Sequence, residues 1–214
     1  MLYHFTNKDI LNKFNPTFDY YIYEDNLNID LITLKNNLLI LEKDILSNYS
    51  FSDDGGTGLS KNSLTTRHSY YNLLQFKQTS FLKNIIKNQI QKFLKQLNYD
   101  IESNYYVKCW FNVLRKEEQI RLHKHSSDNY GFLSGHICVN THNTSTYYLT
   151  PYTKNVFSSK NQNGKITLFP SWIEHYTDRI SNNDQRITIA FDVRTYQGWN
   201  EDIKDSMKSH WEKI

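Results

Sequence analysis

Apolar and polar residues alternate with a period of two from Tyr105 to Arg194. Because side chains two apart on a strand share a face, this alternation is typical of half-buried β-strands. Turn-forming residues, such as those of Asn161–Gly164, separate the alternating segments. The predicted strands are Tyr105–Leu114, Glu118–Lys124, Phe132–Asn140, Ser145–Leu149, Lys165–Phe169 and Gln185–Arg194. Short strands in this number and at this spacing favour a sandwich or a barrel.

Helical periodicity dominates the chain before Tyr105. Apolar residues recur at loosely helical spacing in Ile29–Ile45, and a clearer amphipathic helix follows Thr79 and Ser80, either of which is a candidate N-cap. The apolar positions of this second helix are Leu82, Ile85, Ile86, Ile90, Phe93, Leu94 and Leu97. Between the helices, the glycine-containing segment Ser52–Ser60 predicts a loop, and it lacks the Lys-Ser/Thr ending of a phosphate-binding loop.

The order of the elements, helices first and strands afterwards, predicts the fold class. We expect a mainly β protein of the α+β class, in which N-terminal helices pack on one sheet of a jelly roll. The length of 214 residues suits a single domain. Within it, we expect residues 1–104 to form a helical and loop part, residues 105–195 the jelly-roll core, and residues 196–214 a helical tail.

Charge and composition exclude several classes of protein. The net charge is +3, and no basic run is longer than Arg115-Lys116, so no dedicated nucleic-acid or membrane patch is predicted. The two cysteines, Cys109 and Cys138, do not make a disulfide scaffold. The first residues show no export signal, and no apolar stretch approaches the roughly 20 residues that a membrane span needs. We therefore expect a soluble, cytoplasmic protein; its oligomeric state is not indicated.

Three histidines are candidate metal ligands. His123 and His125 stand two apart at the end of a predicted strand, so their imidazoles would project from one face towards one ion. His175 follows Pro170, which we expect to end a strand and turn the chain. In an antiparallel barrel, strands distant in sequence become neighbours. Taken singly, each motif is better explained structurally, as an exposed or core pair or as a histidine bonded to a backbone carbonyl.

A fourth feature lies in the last predicted strand. There Arg186 and Thr188 share one face, while the apolar residues Ile187 and Ile189 lie on the other. A guanidinium offers paired donors to a carboxylate, and the hydroxyl adds another. An outward-facing arginine on a half-exposed strand explains the pair equally well by itself. The four features in this order, however, are much harder to obtain by chance.

The pattern resembles the iron(II)- and 2-oxoglutarate-dependent oxygenases, which carry His-x-Asp/Glu on one strand, a distal His, and then an Arg with Ser or Thr two residues beyond it. The counterparts in this chain are His123-Lys124-His125, His175 and Arg186-Ile187-Thr188. More narrowly, the chain looks like a branch of that superfamily found in phages and bacteria. The strings that carry this likeness are Trp110-Phe111-Asn112, Leu133-Ser134-Gly135 and Leu168-Phe169-Pro170-Ser171-Trp172. The resemblance implies a double-stranded β-helix, that is, a jelly roll, with Fe²⁺, 2-oxoglutarate and O₂ as cofactor and cosubstrates.

One departure concerns the third metal ligand. Most of the superfamily has a carboxylate where this chain has His125, and the narrower branch also reads His-x-His, which implies a three-histidine site. Three neutral imidazoles leave the charge of Fe²⁺ uncompensated. Asp128 is an alternative ligand from the following turn, although its spacing does not suit the strand pair. Glu174 is expected to point away from the metal.

The resemblance also implies an activity: hydroxylation of an unknown substrate with release of succinate and CO₂. Arg186 and Thr188 would hold the far carboxylate of 2-oxoglutarate. Asn112 would donate to the same cosubstrate, although a satisfied core amide is an equal alternative. Candidate substrate-binding residues are Arg121, Trp172 and Arg67, for which solvation or packing is the simpler explanation. The substrate classes left open are peptide, nucleobase, amino acid and small metabolite.

Two other functions remain as alternatives. A three-histidine, cupin-like dioxygenase would need no 2-oxoglutarate, but it would leave Arg186 and Thr188 without a task. A jelly roll without enzymatic activity could bind glycans or other partners, since fold alone does not fix function. A structural zinc site is a lesser alternative, because the cysteines are not near the histidines in sequence.

Overall fold

The computed structural model describes residues 1–7, 14, 16–48, 64, 70–102, 104–126, 129–153, 155–181 and 183–214. The strands within these ranges are β1 (Leu2–Thr6), β2 (Asp19–Asn26), β3 (Tyr106–Leu114), β4 (Leu133–Asn140), β5 (Ser145–Leu149), β6 (Val156–Lys160), β7 (Lys165–Pro170), β8 (His175–Thr177), β9 (Arg186–Arg194) and β10 (Glu212–Lys213). The helices are α1 (Leu31–Asn48), α2 (Leu82–Gln96), α3 (Tyr196–Asp202) and α4 (Asp205–Lys208), with a short 3₁₀ helix at Leu73–Gln75.

The strands form two antiparallel sheets that face each other. The larger has seven strands in the order β1-β2-β7-β4-β9-β3-β10, and the smaller has three in the order β6-β5-β8. Their inward side chains meet: the ring of Phe169 on β7 lies 5.1 Å from that of Tyr148 on β5 and 4.8 Å from that of His175 on β8. This arrangement is a double-stranded β-helix with a few helices, as the sequence predicted.

Helices α1 and α2 cover the outer face of the larger sheet. Alternate residues of β9, such as Ile187 and Ile189, join the main hydrophobic core, to which α1 contributes Leu38 and α2 contributes Ile86 and Ile90. Each of these side chains is fully buried, and burying one stabilises the fold by about 1.5–3 kcal/mol. The residues of β9 between them point the other way, into the space between the sheets.

The predicted strand Glu118–Lys124 is wrong as a regular strand. Its residues run beside β8 with broken pairing: His123 and His175 form an isolated bridge, while the amide of Ile120 bonds to the Thr177 hydroxyl rather than to a backbone carbonyl. A side chain therefore takes the place of a ladder partner, and the periodicity of the segment cannot show this.

Two further differences concern strands and caps. The sequence analysis did not predict strands β1, β2, β6, β8 and β10. All of these except β2 lie at sheet edges. Neither Thr79 nor Ser80 caps α2, whose N-cap is Phe81 without a side-chain bond. The two hydroxyls instead donate to the carbonyls of Leu73 and Lys77 in the preceding turns.

Some predictions fall outside the described residues. They are the loop Ser52–Ser60, the alternative ligand Asp128 and the candidate substrate residue Arg67.

Residues 196–214 contain α3, α4 and β10, and β10 pairs with β3. No helix within the described ranges combines the length and the apolar character that a membrane crossing requires.

Gly135 lets β4 approach its neighbours closely enough to pack. A Cβ at this position would stand 2.5 Å from the ring of Phe191 and 2.8 Å from Leu168, both in the core. We therefore expect Gly135→Ala to lower the free energy of unfolding by about 1–3 kcal/mol through overpacking. Urea denaturation measures this, with Ser158→Ala on the exposed side of β6 as the control. Equal stability of Gly135→Ala and the wild type would contradict it.

Candidate metal and carboxylate site

Three histidines converge at one end of the space between the sheets. One ring nitrogen of each of His123, His125 and His175 lies within 4.8 Å of the other two. Backbone bonds hold the first and last together, since each donates its N–H to the carbonyl of the other, at 3.1 and 2.9 Å. The amide of His125 donates to the Ser171 carbonyl in the turn that follows β7. The chain thus brings the three predicted ligands into one group.

The Nδ1 atoms of the three rings already have partners. Nδ1 of His123 lies 2.8 Å from the Arg121 carbonyl oxygen, and Nδ1 of His175 lies 3.0 Å from that of Ile173. A carbonyl oxygen only accepts, so Nδ1 carries the proton in these two rings. Nδ1 of His125 lies 2.6 Å from a carboxylate oxygen of Asp192, which likewise accepts. Each ring therefore keeps the lone pair of Nε2 for a metal ion, the usual arrangement of metal-binding histidines.

Burial keeps two of these imidazoles neutral. Desolvation, followed by the neighbouring His125, lowers the pKa of His123 to about 4. Desolvation, followed by His123 and His125, holds the pKa of His175 well below its ordinary value. A metal competes with protons for these nitrogens, so neutral rings are ready to bind at neutral pH.

Asp192 links the group to β9. Its Oδ1 atom accepts from Ser134 at 2.7 Å as well as from His125. Burial would raise its pKa, but the contacts with His125, Ser134 and Lys108 outweigh burial and lower it. Asp192 is therefore a carboxylate held in its charged form beside one of the three rings.

Arg186 is a buried cation whose donors are not all used. The residue is 2% exposed, and within the described part of the chain its Nε and Nη1 atoms have no hydrogen-bond partner. Burial lowers the pKa of this guanidinium. A second buried cation, Lys165, differs because its ammonium contacts Glu24 at 3.0 Å and the Ser159 hydroxyl at 2.6 Å. An unpaired buried charge is costly, so the unused donors of Arg186 indicate a place for an anion.

Other unpaired polar groups lie inside the same barrel. Among the described residues, the Nε2 atom of His136 is buried without a hydrogen-bond partner, and the buried hydroxyls of Tyr148 and Thr167 have no partner beyond each other. The Tyr148 and Thr167 hydroxyls are neighbours, and the electrostatic influence of Arg186 extends to Tyr148 and His136. Of these groups, His136 lines the same cavity as Arg186, so a ligand there would have the unpaired Nε2 atom within the same space.

A cavity of about 310 Å³ connects the histidines with Arg186. Asn112 and Thr188, which are opposite each other on β3 and β9, both line it. Arg121 lines it from its exposed rim. Trp172 does not line this cavity, and its ring packs edge-on against Tyr20 with centroids 5.4 Å apart.

The residues present fit iron and 2-oxoglutarate. Three neutral imidazole nitrogens suit Fe²⁺ and leave coordination positions open. The unused donors of Arg186 suit the carboxylate at the far end of a keto acid. When bound, the iron and the keto acid supply oxidising power from O₂, whereas the protein positions and shields the reactants.

Solved structures with this fold come from several organisms. The chain is 9% identical to a Pseudomonas putida prolyl-4-hydroxylase, covering 81% of this chain and 87% of that one, with a TM-score of 0.53. It is 12% identical to a Trichoplax adhaerens prolyl hydroxylase in complex with a hypoxia-inducible-factor peptide fragment, covering 86% and 87%, with a TM-score of 0.57. It is 9% identical to a viral collagen prolyl hydroxylase from Paramecium bursaria Chlorella virus-1, covering 81% of this chain and 96% of that one, with a TM-score of 0.51. At these identities the likeness establishes the fold.

The sequence of the site region matches one family. The family model described as "Putative 2OG-Fe(II) oxygenase" matches residues 138–192, which include His175, Arg186, Thr188 and Asp192. No curated protein matches the sequence. The fold and the family match together indicate an enzyme, an oxygenase dependent on 2-oxoglutarate and iron(II), as the resemblance predicted. Oxygenases of this kind use Fe²⁺, 2-oxoglutarate and O₂, and the substrate here is unspecified.

Sequence reasoning missed Asp192, His136 and Tyr148. Asp192 shares the inward face of β9 with Arg186 and Thr188, so the period of two was a usable signal. Tyr148 also follows an alternating pattern on β5. His136 lies on β4, which is buried on both faces, so the sequence there shows no preferred side.

Buried neutral histidines should make the stability of the metal-free protein depend on pH. Burial, followed by Arg186, lowers the pKa of His136 to about 3, whereas an unfolded histidine titrates near 6.5. Between the folded pKa of about 3 and the unfolded pKa near 6.5, the unfolded state binds more protons than the folded state. The free energy of unfolding therefore falls as pH decreases from 7 to 5. In His136→Gln this loss should be smaller by about 1–2 kcal/mol.

Urea denaturation at the two pH values measures the loss. Thr167→Val is a suitable control, because Thr167 is opposite His136 on β7 and does not titrate. An unchanged pH dependence in His136→Gln would show that folding does not lower the pKa of this imidazole.

Proposed function

We propose that this oxygenase hydroxylates its substrate at a three-histidine iron site formed by His123, His125 and His175, with Arg186 as the anchor of 2-oxoglutarate. The observation that carries the proposal is the buried guanidinium whose Nε and Nη1 are unpaired within the described residues, in the cavity that the histidines also line. Succinate and CO₂ are then the products of the keto acid.

Each residue has a separate task in this scheme. The three Nε2 atoms hold the metal, and the Nδ1 bonds fix the ring orientations. Arg186 and Thr188 would hold the far carboxylate and so fix the orientation of the keto acid. Asn112, 3% exposed on the cavity wall, would donate a hydrogen bond to it.

The alternatives lack support at Arg186. A cupin-like dioxygenase without 2-oxoglutarate would leave a buried charge with unused donors throughout its cycle. A binding module without enzymatic activity would not need three rings whose Nδ1 atoms are all engaged and which each place one ring nitrogen within 4.8 Å of the others. The proposed enzyme uses both features.

The substrate belongs to one of four classes: peptide, nucleobase, amino acid or small metabolite. The Trichoplax adhaerens neighbour was solved with a peptide fragment, which makes peptides the first class to test. The exposed Arg121 and Lys124 border the cavity and would meet the substrate first.

Anaerobic protein loaded with Fe²⁺ and 2-oxoglutarate should show a weak visible charge-transfer band. We expect His175→Ala and His125→Ala to abolish the band, because each removes one of three metal ligands. His142→Ala, which replaces a histidine outside the cavity, should keep it. A band that persists in His125→Ala would assign the third ligand to another residue. A folded, iron-loaded wild type without a band would refute the proposed cosubstrate.

Arg186→Lys should weaken 2-oxoglutarate binding while it retains the positive charge. The lysine loses the paired donors, which amounts to about 1.5–3 kcal/mol, or roughly 10–100-fold in affinity. Titration of the charge-transfer band with 2-oxoglutarate measures this. Arg194→Lys makes the same change on the same strand, where the arginine pairs with Asp202 instead, and should bind the keto acid as the wild type does. Equal affinities in the two variants would contradict the anchor role.

A further inference from the structure

The proposed iron site has an electrostatic deficit that its own ligands do not correct. None of His123, His125 and His175 carries a negative charge when it binds through Nε2. A carboxylate ligand would cancel one of the two positive charges of Fe²⁺, whereas three imidazoles cancel none. To hold the metal as firmly as a site with a carboxylate ligand, this site needs a negative charge from a residue that is not itself a ligand.

Only one of the three rings bonds to a carboxylate. Nδ1 of His123 and of His175 faces a backbone carbonyl. Nδ1 of His125 lies 2.6 Å from Oδ1 of Asp192, a short, charge-assisted contact. His125 is also the position at which the sequence departs from the usual carboxylate ligand, so the extra charge lies at the ring that replaced it.

Hydrogen bonds and neighbouring strands hold the Asp192 carboxylate in place. Ser134, opposite it on β4, donates its hydroxyl to the same oxygen at 2.7 Å. Lys108 is opposite it on β3. The His125 side chain is 7% exposed and that of Asp192 is 21% exposed, so solvent screens their contact only partly.

From this geometry we propose, on the basis of the proposed function, that Asp192 supplies through His125 the negative charge that the three-histidine centre lacks. Asp192 is a positioning residue that does not touch the metal. It fixes the Nδ1–H tautomer of His125, increases the basicity of Nε2, and restores the total charge that a carboxylate ligand would have given.

Anaerobic titration of the metal-free full chain with Co²⁺ tests the role of the charge. Asp192→Asn keeps the shape and a hydrogen-bond acceptor but removes the charge, and we expect it to weaken Co²⁺ binding roughly 10–100-fold. The control is Asp202→Asn, which neutralises a carboxylate on α3 that pairs with Arg194, a residue of the same strand as Asp192. This variant should bind Co²⁺ as the wild type does. Wild-type affinity in Asp192→Asn would overturn the proposal.

A charge-exchange cycle provides a second, independent test. His125→Asp installs the usual ligand but places two carboxylates together, so we expect weak Co²⁺ binding and a lowered Tm. The double variant His125→Asp/Asp192→Asn again carries one carboxylate at these two positions, as the wild type does. It should therefore recover most of the Co²⁺ affinity and most of the Tm. If the double variant binds no better than His125→Asp, Asp192 has only a structural role. Absence of Co²⁺, Fe²⁺ and Zn²⁺ binding in the wild type would overturn the proposed function itself.

Discussion

Two backbone hydrogen bonds between His123 and His175 fix the open end of the barrel, and the metal site depends on them. They form a single antiparallel bridge between β8 and a segment that is otherwise irregular. Because paired residues project side by side, the two imidazoles lie with their centroids 4.3 Å apart. The Ser171 carbonyl accepts from the amides of His125 and Ser126 and holds the third ring against the same pair. Rigid backbone contacts therefore position all three rings before any metal binds.

Inside the barrel, two buried cations are treated differently, and the contrast locates the cosubstrate. Lys165 has a carboxylate, a hydroxyl and a carbonyl around its ammonium group, so the protein itself supplies partners for this buried charge. Arg186 keeps donors without partners within the described residues, and it shares its cavity with His136, whose Nε2 atom is likewise unpaired there. A fold that satisfies one buried cation fully and leaves the other incomplete has a place prepared for an anionic ligand.

The sequence predicted the parts of the site that regular alternation controls. Arg186 and Thr188 lie on a strand with a clear period of two, so their common face followed from the pattern. The pattern failed at Glu118–Lys124, where the hydroxyl of Thr177 replaces a ladder bond. It could not separate the faces of β4, because seven of its eight residues are buried, and His136 was missed for that reason. The pairing of His125 with Asp192 is a tertiary contact across 67 residues, and no local signal specifies it.

Strand β9 connects the two halves of the site. Its inward residues run in order from Arg186, which anchors the cosubstrate in the proposed scheme, to Asp192, which adjoins the metal ligands. The strand pairs with β3 on one side and β4 on the other, so it has no free edge along which to shift. A slip of one residue would turn Arg186 and Asp192 into the hydrophobic core and bring Ile187 and Val193 into the cavity. The hydrophobic packing that stabilises the fold is therefore also what fixes the spacing between the metal and the carboxylate anchor.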